Sequence, residues 1–327
     1  MFAVKECGAQ QMCVEGILNV AKPSGWTSHD VVAKLRGALK NIRVGHAGTL
    51  DPAATGVLPI LLGRGTRIAE YLLDWDKEYR AVLRLGQTTD TLDATGTVLT
   101  ECPTDALTSE SIHAACAQFL GKIEQVPPMY SAVKVAGVPL YKSARAGKTI
   151  ERESRRITVY DLRVLTINGR DVTFHVRCSK GTYIRTLCAD IGSVLKVGGH
   201  LLQLMRQRVG PLCVEDACTL DEAIDSFRAG RPLPRLLTLD AALAHVPALI
   251  VSDMAAERAR HGGGIPFQAV QWERSAKGVL TGDRRTVCVK DSNQQLVGIG
   301  LVQGHEPSED GVVAMVKVLA GIQQTMS

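Results

Sequence analysis

The 327-residue sequence has no apolar run near membrane-spanning length. The longest, Val57-Leu58-Pro59-Ile60-Leu61-Leu62, is far too short to cross a bilayer, so no membrane partner is expected. It also has no Cys-x-x-Cys pair. Its nine cysteines, at positions 7, 13, 102, 116, 178, 188, 213, 218 and 288, are scattered and odd in number. That speaks against a disulfide framework and a redox dithiol, and the thiols are read as reduced. The eight histidines form no His-Glu-x-x-His and no zinc-like spacing, so no metal is expected. A strong charge of one sign is missing as well: 38 Lys+Arg against 33 Asp+Glu leave +5, too little to name a partner. Repeats and low-complexity tracts are absent. Residues 1–15 lack the basic-then-apolar order of a secretory signal and read as a flexible tail, which makes the cytoplasm the expected home.

What is present is ordinary globular usage, with 45% hydrophobic and 22% charged residues, in a chain long enough for two domains. The charge is uneven. Residues 122–185 hold 13 Lys/Arg against 5 Asp/Glu, whereas residues 246–327 hold 8 of each. The basic surface therefore belongs to the middle of the chain.

Residues 16–20 read as a buried strand, ended by the loop at 22–25. A helix follows, with Ser28 as its expected N-cap and Val31, Val32, Leu35 and Leu39 on one stripe. A glycine-rich loop spans 45–56. A helix is expected over 67–73, a strand over 78–85, a polar loop over 88–96 and a helix capped by Thr108 that runs to about 120. Residues 125–153, rich in Pro, Gly and basic side chains, read as a long excursion. Strands at 157–167 and 172–178 flank Asn168-Gly169, a hairpin signal, and a helix covers 182–195. A linker or helix pair is expected over 231–247. Alternating runs at 286–289, 296–302 and 312–318 complete a small β-rich domain.

The densest cluster of unusual residues is Gly45-His46-Ala47-Gly48-Thr49-Leu50-Asp51-Pro52-Ala53-Ala54-Thr55-Gly56, a tight backbone path with one carboxylate at its centre. No Gly-Lys-Ser/Thr follows, so it is not a phosphate-cradling P-loop. An isolated Asp-Pro is most often a helix N-cap with proline at the first helical position, so Asp51 alone proves nothing.

Taken with other blocks, the loop carries more weight. Residues 45–60 (GHAGTLDPAATGVLPI), preceded by KPSGWTS at 22–28 and followed by CSKGTYIR at 178–185, closely resemble the TruB family of tRNA pseudouridine synthases. The resemblance extends over roughly 16–210 and includes KEYR at 77–80, TDTLDATG at 89–96, PPMYSAVK at 127–134 and GHLLQL at 199–204. It implies isomerisation of uridine 55 in the tRNA T-loop, by base flipping and an aspartate-dependent break and re-formation of the glycosidic bond. That chemistry is redox-neutral and requires no cofactor.

The resemblance also implies site roles. Asp51 is the catalytic carboxylate, acting on sugar or base or removing a ribose proton. Arg185 pairs with it, where a lone arginine would otherwise be a solvated helix residue. Tyr79, otherwise an ordinary core tyrosine, stacks on the flipped uracil and can relay the C5 proton. Leu204 packs the other side of the base, and His46 fills the space that the base leaves. Asp93 lies near the substrate, although a turn-forming aspartate accounts for it equally well. Tyr183 contacts substrate, and Lys22, Lys134, Lys180 and Arg206 serve RNA phosphates. Met205 departs from the family's leucine, a swap that preserves packing.

The expected fold is α/β (α+β): a mixed, largely antiparallel sheet flanked by helices over 16–245, with 125–153 gripping RNA, then a small β-rich PUA-like RNA-binding domain over 246–327. With no lysine-rich tails, a stand-alone monomer without guide RNA or obligate protein partner is expected. A catalytically silent RNA-binding relative would have lost one of Asp51, Tyr79 and Arg185, and all three are present. A nucleotide hydrolase built on the glycine-rich loop lacks its lysine and metal ligands.

Overall fold

A computed structural model describes residues 14–131, 134, 135, 137–140, 147, 150–275, 285–303 and 311–320. Residues 1–13 of the expected tail at 1–15, with Cys7 and Cys13, and part of the 125–153 excursion lie outside the described residues. Among the described residues no helix is long and apolar enough to cross a membrane, and no group of His, Cys, Asp or Glu is placed to hold a metal. The seven described cysteines are free.

A ten-stranded sheet organises the first three quarters of the chain. Along its main path the order is Leu236–Leu237, Gly16–Lys22, Thr55–Leu62, Gly199–Val209, Lys77–Leu85, Asp171–Cys178, Arg155–Asn168 and Gly121–Gln125. All these pairings are antiparallel except Gly199–Val209 against Thr55–Leu62, which is parallel. The sheet is thus mixed and largely antiparallel, as expected. Its core has two halves. The first gathers Tyr79, Leu83, Phe174 and Val176 under the helix Ile184–Val194. The second gathers Leu18, Leu58 and Ile60 under the helix Ser28–Ala38, whose Val31, Val32 and Leu35 are buried. Each such side chain contributes roughly 1.5–3 kcal/mol by leaving water.

Several local expectations shift. The cap of the first helix is Thr27, which accepts from the Asp30 backbone N–H while Asp30 caps the Thr27 N–H in return. The expected helix at 67–73 is instead a 3-10 turn, Gly63–Ile68, and one α turn, Ala69–Leu72. Asn168 pairs with Asp171, so the two hairpin loop residues are Gly169 and Arg170, one place later than the Asn-Gly signal suggested. The expected linker at 231–247 supplies the edge strand Leu236–Leu237 and the short helix Leu239–Ala242.

A second, five-stranded sheet, in the order Ala248–Ile250, Thr286–Lys290, Leu296–Gln303, Val312–Val318 and Ile265–Pro266, holds its own apolar core with the helix Asp253–Arg260. It docks on the large sheet through Cys288, Ile299 and Leu319, which share a cluster with Ile17, Trp75 and Leu243. Arg67 and Lys317 tie the seam by hydrogen bonds to the Val318 and Arg67 carbonyls, at 2.6 and 2.8 Å.

Candidate active site

The glycine-rich loop crosses between two short pieces of the same sheet. Val44–His46 pairs antiparallel with Thr55–Leu62, and the residues between them, including Asp51, form the connection. Gly48 and Gly56 hold φ at +78° and +98°, and a Cβ on Gly56 would lie 2.2 Å from the Arg206 carbonyl oxygen. Only glycine lets this backbone pass so close to its neighbour strand. Ser28, expected as a helix cap, reaches the loop instead: its Oγ accepts from the Leu50 N–H at 2.9 Å and donates to the Leu50 carbonyl at 3.2 Å. The Thr-x-x-Asp pattern at 27–30 was the available signal that the cap lies one residue earlier.

Arg185 enters from the first turn of the helix Ile184–Val194 and grips Asp51 with two nitrogens, Nε to Oδ2 at 3.0 Å and Nη2 to Oδ1 at 3.3 Å. The fork is held from behind by the carbonyls of Tyr130 and Thr91, at 2.7 and 3.2 Å, and by Asp93 Oδ2 at 3.5 Å from Nη1. Neither carbonyl could be foreseen from residue type. The Arg185 side chain is 6% exposed and that of Asp51 42%, so the carboxylate faces open space while its cation does not. Burial nevertheless pushes the Asp51 carboxyl above its ordinary value, with Arg185 pulling down, Asp93 up and Lys22 down. Asp93 lies beside Arg185, and it holds its own turn: its Oδ1 accepts from Thr91 Oγ1 and from the Thr95 N–H and Oγ1.

Tyr79 lies on the inward face of Lys77–Leu85, nearly covered, and burial pushes its phenol up to about 12. Leu204 is two residues from Arg206 on the adjacent strand, half-buried against the same core cluster. His46 ends its short strand with Nδ1 buried and unpartnered among the described residues. Burial, helped by Arg206 and His29, lowers its pKa, so the ring is neutral at neutral pH. Tyr183 caps the Arg185 helix and is latched by Gln125, whose side chain accepts from its N–H at 2.8 Å and donates to its carbonyl at 3.1 Å.

The four expected phosphate partners divide. Lys180 is exposed and pairs with Asp74. Lys134 lies on the strand Lys134–Val135, with its side chain outside the described part. Lys22 and Arg206 are each 1% exposed, which differs from the expectation that they face RNA. Lys22 Nζ donates to the carbonyls of Pro23, Trp26 and Pro52 at 2.9, 2.6 and 3.1 Å, and burial lowers its pKa to about 8. Arg206 donates to the carbonyls of Val57, Gly48 and Thr49 at 2.7, 3.0 and 3.5 Å. With these donors turned inward, both pin the glycine-rich loop from below.

The arrangement offers a carboxylate fixed by a bidentate cation, an aromatic face, a leucine beside it and a neutral imidazole at the rim. That set can hold a flat base next to one negative charge. The family model described as TruB family pseudouridylate synthase, N-terminal domain, matches residues 36–184. The tRNA pseudouridylate synthase B C-terminal domain model matches residues 185–243. The chain is 45% identical over 249 residues to the tRNA pseudouridine synthase B of Geotalea uraniireducens, covering 76% of this chain and 80% of that one. It is 43% identical over 295 residues to the protein of the same name from Ralstonia pickettii, covering 89% and 92%. Among solved structures, one from a crystal structure of a Cbf5–Nop10–Gar1 complex superposes with a TM-score of 0.73 at 31% identity, over 93% of this chain and 84% of that one. Another, from an H/ACA RNP bound to a substrate RNA containing 2'-deoxyuridine, gives 0.70 at 28%, over 94% and 85%.

Proposed function

The chain belongs to the TruB family of pseudouridine synthases, and from that premise we propose that it isomerises uridine 55 in the T-loop of tRNA. The coarser part, isomerisation of a tRNA uridine to pseudouridine, follows from the family and its tRNA pseudouridine synthase B members. The observation that carries the site assignment is the Arg185 fork on a carboxylate that opens to solvent on its other side.

The reaction breaks the bond between uracil N1 and ribose C1′, turns the base and joins C5 to C1′. The C5 proton is lost and N1 gains one, so atoms and charge balance without an oxidant or energy source. Asp51 supplies the negative charge at the sugar. Arg185 keeps that charge available against the desolvation that favours protonation, and its planar fork fixes the carboxylate's direction. Tyr79, a neutral phenol at working pH, presents its ring to the flipped base with Leu204 opposite. His46 takes the position that the base leaves in the RNA stack, offsetting part of an unstacking cost of a few kcal/mol. The basic middle segment, with Lys134 and Lys180, contacts phosphates and so positions the stem-loop without reading its sequence.

The domain reading is part of the proposal: residues 16–245 carry catalysis, 125–153 grip RNA, and 246–327 form a PUA-like accessory RNA-binding unit. The protein works alone as a cytoplasmic monomer, without guide RNA. Incubation of purified protein with unmodified T-arm RNA, followed by pseudouridine mapping, tests it. The expected product is a single pseudouridine at position 55. A product at another uridine would keep the chemistry and overturn the substrate, and no product would overturn both.

A further inference from the structure

In the large sheet three cations are buried without an ion pair among the described residues: Arg206, Lys22 and Lys77. Desolvating a cation costs several kcal/mol, and neutral carbonyls compensate less well than a carboxylate. The two lysines spend their donors on backbone carbonyls, Lys22 on those of 23, 26 and 52, Lys77 on those of Leu73 and Trp75. Arg206 alone also stands against a side chain of the cleft: it is the register partner of Tyr79 on the neighbouring strand, and while burial raises the pKa of the Tyr79 phenol, the Arg206 charge acts to lower it.

Its position in the sheet explains the reach. Arg206 lies on the strand Gly199–Val209, in register with Tyr79 on one side and Gly56 on the other. From there its guanidinium spans to the Gly48 and Thr49 carbonyls, three and two residues before Asp51. A leucine or methionine would fill this place without the desolvation cost, so packing alone does not account for an arginine.

Resting on the function proposed above, we infer that Arg206 is a positioning residue of the isomerisation: its fork sets the separation between the Tyr79 ring and the Asp51 loop, the space in which the detached uracil turns. Lysine cannot replace it, because one ammonium does not reach the Val57, Gly48 and Thr49 carbonyls in the fixed directions of a planar fork. The role differs from phosphate binding, which would tighten RNA without changing the rate at saturation.

The test is single-turnover pseudouridine formation on T-arm RNA by the full chain, with wild type, Arg206→Lys and Arg206→Ala. At saturating RNA the lysine variant is expected to be about 30- to 100-fold slower, the scale of an ångström-sized misplacement. The half-saturating RNA concentration should move less than about threefold. Methylguanidinium at tens of millimolar should restore part of the alanine variant's rate, against an equal concentration of sodium chloride as control for salt-weakened RNA binding. A wild-type rate for Arg206→Lys overturns the inference. So does an effect confined to half-saturation, which would make Arg206 a phosphate partner, or loss of the thermal transition in both variants, which would make it core. Wild-type protein inactive on this RNA would defeat the reading on which the inference rests, and the inference with it.

Discussion

The two sheets bury different things. Of the buried polar and charged residues described, Lys22, Lys77, Arg185, His200 and Arg206 lie in the large sheet and its loops, whereas the small sheet's region buries only Asp291. Asp291 is fully compensated, accepting from Arg260 at 2.9 Å and from the backbone N–H groups of Asn293 and Gln295 at 3.0 and 2.9 Å. The small sheet is otherwise a valine- and alanine-rich core. Hydrophobic burial suffices to hold it. The large sheet carries charges whose desolvation a scaffold would avoid, and three of them, Lys22, Arg185 and Arg206, reach the Asp51 loop. The difference separates residues that serve stability from residues that serve chemistry.

The sharpest test of that contrast is Asp51→Asn. It preserves shape and removes the charge, so pseudouridine formation should fall below detection while T-arm binding in a filter or fluorescence assay is retained; substantial turnover would remove Asp51 from the chemistry. Next is Arg185→Lys, which keeps the charge and loses the bidentate grip. A loss of about 10²-fold or more, ~3 kcal/mol, is expected in the single-turnover rate, and an unchanged rate would show that the fork is dispensable.

A smaller effect is read in pH. The folded Asp51 carboxyl titrates above its ordinary 3.8. Its contribution to stability is therefore full below 3.8 and is lost as pH rises through the folded value. Activity has the opposite sign because the ionised form acts, so the rate should climb along an acidic limb centred above 3.8. Asp93 raises that value, so Asp93→Asn should move the limb to lower pH; a stationary limb would break the electrostatic link. The smallest effect on catalysis belongs to the other sheet. Leu249→Ala, at a fully buried position, should cost about 2–5 kcal/mol in denaturant unfolding of the small sheet. The single-turnover rate on a T-arm fragment should remain unchanged, and a parallel fall would erase the division between the sheets.

Legibility in the sequence followed the same division. Elements with a repeating pattern were readable: the stripe of Val31, Val32 and Leu35, the hairpin around Gly169, and the alternating strands of the small sheet. The strand Gly199–Val209 was not, because Gln203, Met205 and Arg206 break its alternation, and only its neighbours on both sides explain why Arg206 can be inside. The edge strand Leu236–Leu237 is too short to show a period at all.

The site residues named from the family blocks divide in the same way. By itself the sequence determined the family, the mixed fold class and the residue types of the candidate site, because those depend on ordered blocks along the chain. Which basic residues face RNA and which lie beneath the loop was decided only by the tertiary structure. A lysine or arginine has the same formula in both places, and its role depends on where its donors end. For Arg206, and for one of the three Lys22 contacts, they end on carbonyls of sequence-distant segments that meet only once the sheet has closed: Pro52 lies 30 residues from Lys22, and Gly48 lies 158 from Arg206.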